Sequence, residues 1–118
     1  MNLNDMVLFC RSLPHIVEDI KWENDLVFSI EGGKMFCVFS IEEKGYSGMC
    51  FKVDDHRFLE LTDQPHFIPA PYMARAKWVK MIDPMGITTQ ELKAMVTRSH
   101  QLYFEKLSKK KQRELQGS

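Results

Sequence analysis

No stretch of this chain approaches the roughly 18 consecutive apolar residues that a membrane-spanning helix needs, and no membrane partner is expected. Neither sign of charge is in excess, since sixteen Lys and Arg balance sixteen Asp and Glu. A neutral chain lacks the overall field that drives non-specific nucleic-acid binding, so an anionic partner must be met by a local patch. Cysteine is scarce: Cys10, Cys37 and Cys50 are odd in number, far apart and in apolar contexts. That excludes a disulfide framework and reads as reduced, buried thiols of a cytoplasmic protein. Residues Met1–Asp5 also lack the basic segment that opens a signal peptide.

Motifs of catalysis are missing as well. His15, His56, His66 and His100 form no HxH, HExxH or CxxC pattern, so neither a metal nor another cofactor is expected. No cysteine neighbours a histidine in sequence, and burial raises a thiol pKa rather than activating it. Gly32-Gly33-Lys34 lacks the remaining Walker spacing and reads as a hairpin turn. Glu18, Asp19, Glu23 and Asp25 cluster without a paired acid–base arrangement; they read as solvated surface or as a docking site for a basic partner. The chain is expected not to be an enzyme.

What is present suits one domain over residues 1–118, with about 110–118 a flexible tail. Met6, Phe9, Cys10 and Leu13 form one apolar stripe of a first helix, capped by Asn2 or Asn4 and stopped by Pro14. Residues 17–22, 26–30, 34–41, 47–53 and 77–82 read as strands. Met35–Phe39 is apolar on both faces, as a strand central in a sheet would be. Asp54 and Asp55 are placed to cap a middle helix. Residues 63–71, with three prolines, read as a loop with an extended edge piece. Thr88-Thr89-Gln90-Glu91 is a capping box. The helix it opens carries Leu92, Met95, Val96, Ser99, Tyr103 and Leu107 on one face. Short turns between strands make the sheet antiparallel. The expected fold is therefore α+β: a two-layer sandwich, with a sheet of about five strands packed by N-terminal, middle and long C-terminal helices.

Two blocks point to a family. One is Pro69-Ala70-Pro71-Tyr72-Met73-Ala74-Arg75-Ala76-Lys77-Trp78-Val79. The other is Trp22-Glu23-Asn24-Asp25-Leu26-Val27-Phe28, followed by Gly33-Lys34-Met35-Phe36. Together they resemble the signature of the MmcQ/YjbR family of small bacterial proteins, from about Phe9 to about Leu107. The resemblance implies a frataxin-like, secretion-chaperone-like α+β fold. It also implies DNA binding, through sheet hairpins similar to the "double wing" of some phage transcription factors. Frataxins carry an acidic first helix; here that helix offers little beyond Asp5.

Two binding modes follow. Lys34, Lys52, Arg75, Lys77 and Lys80 form a candidate phosphate-contacting patch for DNA. Alternatively, Trp22, Tyr72, Arg75 and Trp78 border a groove for a protein or a small anionic ligand, in a monomer or a homodimer. Lys109, Lys110, Lys111 and Arg113 are a lesser phosphate contact or a solvated tail. Arg75 separates the readings, since it either clamps its own loop or faces a partner.

Overall fold

The computed structural model describes residues 3–117. The chain opens with helix α1 (Leu3–Ser12), then runs four strands: β1 (Ile16–Lys21), β2 (Asp25–Ile30), β3 (Met35–Glu42) and β4 (Gly45–Lys52). Helix α2 (Asp55–Thr62) leads to β5 (Phe67–Pro69), a 3-10 turn at Ala74–Ala76 and β6 (Trp78–Met81). Helices α3 (Thr89–Phe104) and α4 (Lys109–Gln116) follow. Asn2, one candidate cap of α1, lies outside the described residues, and Asn4 lies inside the helix.

The six strands form one antiparallel sheet in the order β1-β2-β3-β4-β6-β5. The sixth strand is β5, the extended piece of the proline-rich segment. Pro69 has no N–H to give a ladder, and it sits at the sheet edge, where none is required. Helices α1 and α3 pack on the central strands and α2 on β5 and β6. Between the layers lie Phe28, Phe36, Phe39, Phe51, Phe67, Met6 and Leu92, all fully buried. Phe28–Phe39 and Phe51–Phe67 meet edge to face, the arrangement that aromatic quadrupoles favour.

The apolar run of β3 has a specific cause. The register against β2 shifts between Phe28 and Ser29, so Phe36 is an extra residue on β3. A bulge of this kind lets successive residues break the two-fold alternation of a strand. Ser99 of α3 stitches the disturbed end of the sheet. Its hydroxyl donates to the Phe36 carbonyl at 2.7 Å and accepts from the Lys52 N–H at 3.1 Å.

The ends of the helices depart from expectation in two places. Asp54 stands at the N-cap of α2, but its side chain makes no capping bond. It accepts instead from Nε and Nη2 of Arg98 at 2.9 and 3.0 Å, tying α2 to α3. The Arg98 guanidinium holds the Asp54 carboxyl below its ordinary range. The expected frayed tail is instead α4. Ser108 accepts from the Lys111 N–H at 3.1 Å, and Leu115 is buried in the core. A single apolar residue in a run of eight leaves little periodic signal, yet it suffices here because Ser108 supplies the cap. The Thr88–Glu91 capping box forms in both directions.

Candidate binding surfaces

The pairing register fixes which side chains share the sheet face opposite the helices, because directly opposed antiparallel residues point the same way. One row reads Lys21, Asp25, Ser40 and Gly48. The next reads Asp19, Val27, Val38, Cys50, Lys80 and Ile68. Two loops border this face. The β1–β2 turn brings Trp22 and the segment after β5 brings Pro71, Tyr72 and Met73, so that they enclose a groove of about 590 Å³ over Met35, Val38, Ser40 and Cys50.

The two rim aromatics sit in the left-handed backbone region, Trp22 at φ 49° and Tyr72 at φ 66°. For bulky residues that conformation is costly and persists only where the surroundings impose it. Both side chains face solvent, Trp22 65% exposed and Tyr72 fully so. Asp25 lies on the Trp22 side, and the Lys80 stem crosses toward Gly48, 3.3 Å from where a Cβ would sit there. Between them, burial pushes the Cys50 thiol up to about 11; Lys80 opposes that shift and Asp25 adds to it.

Trp78 does not belong to this groove. It is fully buried, and its Nε1–H donates to the Tyr103 hydroxyl at 2.7 Å. The preceding residue, Lys77, takes φ 61° and swings the chain from the 3-10 turn into β6. Trp78 thus plugs the sheet beneath α3. Arg75 does not line the groove either. It is exposed and, among the described residues, has no hydrogen-bond or ion-pair partner, so it does not clamp its loop.

The clamp is Lys52. Its ammonium donates to the Ala76 carbonyl at 2.6 Å and lies 6.0 Å from the centre of the Tyr103 ring. Lys106 approaches the same ring at 5.0 Å. Burial lowers the Lys52 pKa first, and the positive charges of Lys106 and Lys77 lower it further, against Asp55 and Asp54. Lys77 also reaches over the Phe58 ring at 5.2 Å. Lys34 is exposed beside Gly33, on which Leu107 packs, and the Lys111 stem lies against Gly32. Lys34, Lys52, Arg75 and Lys77 therefore fall toward one end of the sheet, with Lys106 and Lys111 added. Lys80 belongs to the groove face instead. The sequence signal for Lys106 was its place near a helix end, which suits the dipole as well as it suits a phosphate.

The remaining candidates have other occupations. The Glu18 carboxylate is held by Arg11 at 2.7 and 2.9 Å, and Asp19 accepts from the Ile20 N–H, so half the acidic cluster serves β1 itself. Burial, with Cys10 alongside, pushes the Cys37 thiol well up, away from nucleophilic use. His100 is buried, with Nε2 2.8 Å from the Pro14 carbonyl. Among the described residues no three His, Cys, Asp or Glu are grouped to hold a metal ion, and no helix is long and apolar enough to cross a membrane.

An antiparallel sheet backed by helices, with a loop-walled groove on its other face, defines a two-layer α+β domain. Residues 11–102 match the model of the YjbR family, and the chain belongs to that family. In structure it is similar to a Deinococcus radiodurans protein with a DUF419 domain. The two share 22% identity and a TM-score of 0.85 over 98% of this chain and 88% of that one. It is also similar to a Pseudomonas syringae protein, at 18% identity and a TM-score of 0.69, over 86% of this chain and 98% of that one. None of the curated proteins matches.

Proposed function

We propose that this chain is a non-enzymatic, cytoplasmic DNA-binding module that contacts phosphates through the basic end of its sheet. One observation carries the reading. Lys52 and Lys106 meet over the Tyr103 ring, the Lys77 charge is close enough to act on Lys52 from its place over Phe58, and Arg75, two residues before Lys77, has no hydrogen-bond or ion-pair partner among the described residues. A neutral chain needs such local concentration to attract a polyanion. Arg75, Lys77, Lys106 and Lys34 carry the phosphate contacts. Lys52 gives one of its three N–H donors to the Ala76 carbonyl, which anchors its charge within the patch.

The test is a titration of labelled DNA at several salt concentrations. Each phosphate contact contributes close to one unit of slope in log affinity against log salt. The double variant Arg75→Ala, Lys77→Ala should flatten that slope by roughly two units. Absence of binding to any DNA at low salt sinks the proposal.

The groove supports a second reading, a site for a protein segment or small ligand, favoured by the strained and exposed Trp22 and Tyr72. In that reading Trp22→Ala abolishes partner binding and leaves the salt slope on DNA unchanged.

A further inference from the structure

The groove and the basic end are not independent. The segment that walls the groove, Pro71–Met73, runs directly into Arg75 and Lys77. The groove itself is polarised. Asp25 lines the Trp22 side; Lys80, just outside the lining, is paired with Cys50 toward β6; Arg75 lies outside the groove, three residues beyond Tyr72. The floor between them is apolar, made largely by Met35, Val38 and the Cys50 thiol. A ligand that fits has a flat apolar body for the aromatic rims, hydrogen-bond donors for Asp25 and Ser40, and an anionic group on the β6 side, toward Lys80.

We infer that the groove seats one unpaired nucleobase of a single-stranded nucleic acid, between Trp22 and Tyr72. This rests on the nucleic-acid reading above and names its substrate. Base faces stack on exposed aromatics without regard to sequence. The exocyclic amine of a base donates to the Asp25 carboxylate or the Ser40 hydroxyl, while the phosphates pass on the Tyr72 side. Asp19, Glu23 and Asp25 outweigh the one cation opposite Asp25, Lys21, and so disfavour phosphates on the Trp22 side, which fixes on which flank the backbone runs. The cavity of about 590 Å³ lies within the roughly 300–1,000 Å³ usual for small-ligand sites. A duplex keeps its bases stacked inside and cannot offer one to this groove without extruding it.

The chain carries a built-in reporter. Of its two tryptophans, Trp78 is fully buried and Trp22 is exposed, so ligand-dependent quenching reads Trp22. The full chain is titrated with a 12-nucleotide single strand, with the same sequence as duplex, and with a mononucleotide. The expected result is tighter binding of the single strand, with quenching that the duplex does not produce. Tyr72→Ala should weaken single-strand binding by roughly 5- to 100-fold and leave duplex binding unchanged. Trp22→Ala, followed by anisotropy, should do the same; both side chains face solvent, so both variants keep the fold. Lys80→Ala should reduce the salt slope for the single strand only. Equal binding of single strand and duplex, with Trp22 emission unmoved, overturns this inference and leaves the DNA reading standing. Quenching by the mononucleotide without binding of either strand form overturns both and assigns the groove to a free nucleotide.

Discussion

The indole N–H of Trp78 is spent on the hydroxyl of Tyr103 at 2.7 Å, joining β6 to α3 through two buried rings. Removing the acceptor leaves that donor unpaired. Tyr103→Phe should therefore cost about 1–3 kcal/mol. Trp78→Ala should cost about 3–5 kcal/mol, because a cavity is added to the lost burial. Urea denaturation curves measure both, and a near-neutral Trp78→Ala would contradict the assignment of Trp78 to the core.

Ser99 is a fully buried hydroxyl with both of its roles filled. Ser99→Ala strands the Lys52 N–H and the Phe36 carbonyl, with an expected loss of about 1–3 kcal/mol. Amide exchange should localise the damage, with the Lys52 N–H accelerating more than amides at the middle of β3.

His100 gives stability a pH dependence. Burial holds its imidazole below the ordinary value of 6.5, the nearby His15 charge pushes the same way, and the Pro14 carbonyl opposes both. The neutral ring is favoured in the folded state, so the unfolded chain binds the proton more readily. The contribution is complete above about 6.5. It is lost as pH falls from there through the lowered folded value. His100→Gln should be less stable than the parent at pH 7.5 and should show a flatter profile between pH 7.5 and 5. An unchanged profile would exclude His100 as its source.

The three thiols should separate in alkylation. Cys10 and Cys37 are fully buried and should react only on unfolding. Cys50 lies at the groove, with its thiol pushed up to about 11. Its labelling should be slow at pH 8 and should rise about tenfold per pH unit until the pH nears that value. Mass spectrometry after timed alkylation identifies the residue. Rapid labelling of Cys50 at pH 7 would show an activated thiol and reopen the question of catalysis.

The elements of this fold were legible wherever local signals agreed with tertiary need. The Thr88–Glu91 box, the glycine turn before Lys34 and the stripe of α1 each state one structure twice, by chemistry and by periodicity. The candidate site was legible only in part. Trp22 and Tyr72 do share a groove, but Trp78 lies in the core. Aromatic type cannot distinguish a plug from a rim; the distinction depends on Tyr103, 25 residues away in sequence. The basic patch divided for a similar reason. Lys52 and Lys80 look alike as isolated lysines, yet one ends on a backbone carbonyl and the other crosses the open face beside Cys50. Bulges hid the groove floor, because the shift at Phe28/Ser29 breaks the alternation from which a face would be read.

Strand β6 lies between β4 and β5 although it follows both in the chain. Among the described residues, 67–69 have no sheet neighbour except β6; their other supports are α2 and the Phe51 ring, so their hydrogen-bonded place in the sheet depends on residues 78–81 pairing with β4. The four-strand meander can close through local hairpins, whereas the last two strands must wait for each other across a turn built on Tyr72 and Lys77 in left-handed conformations. Contact order therefore makes sheet completion the step expected last in assembly. One residue inserted in that turn would shift the closing register and the wall of the groove together.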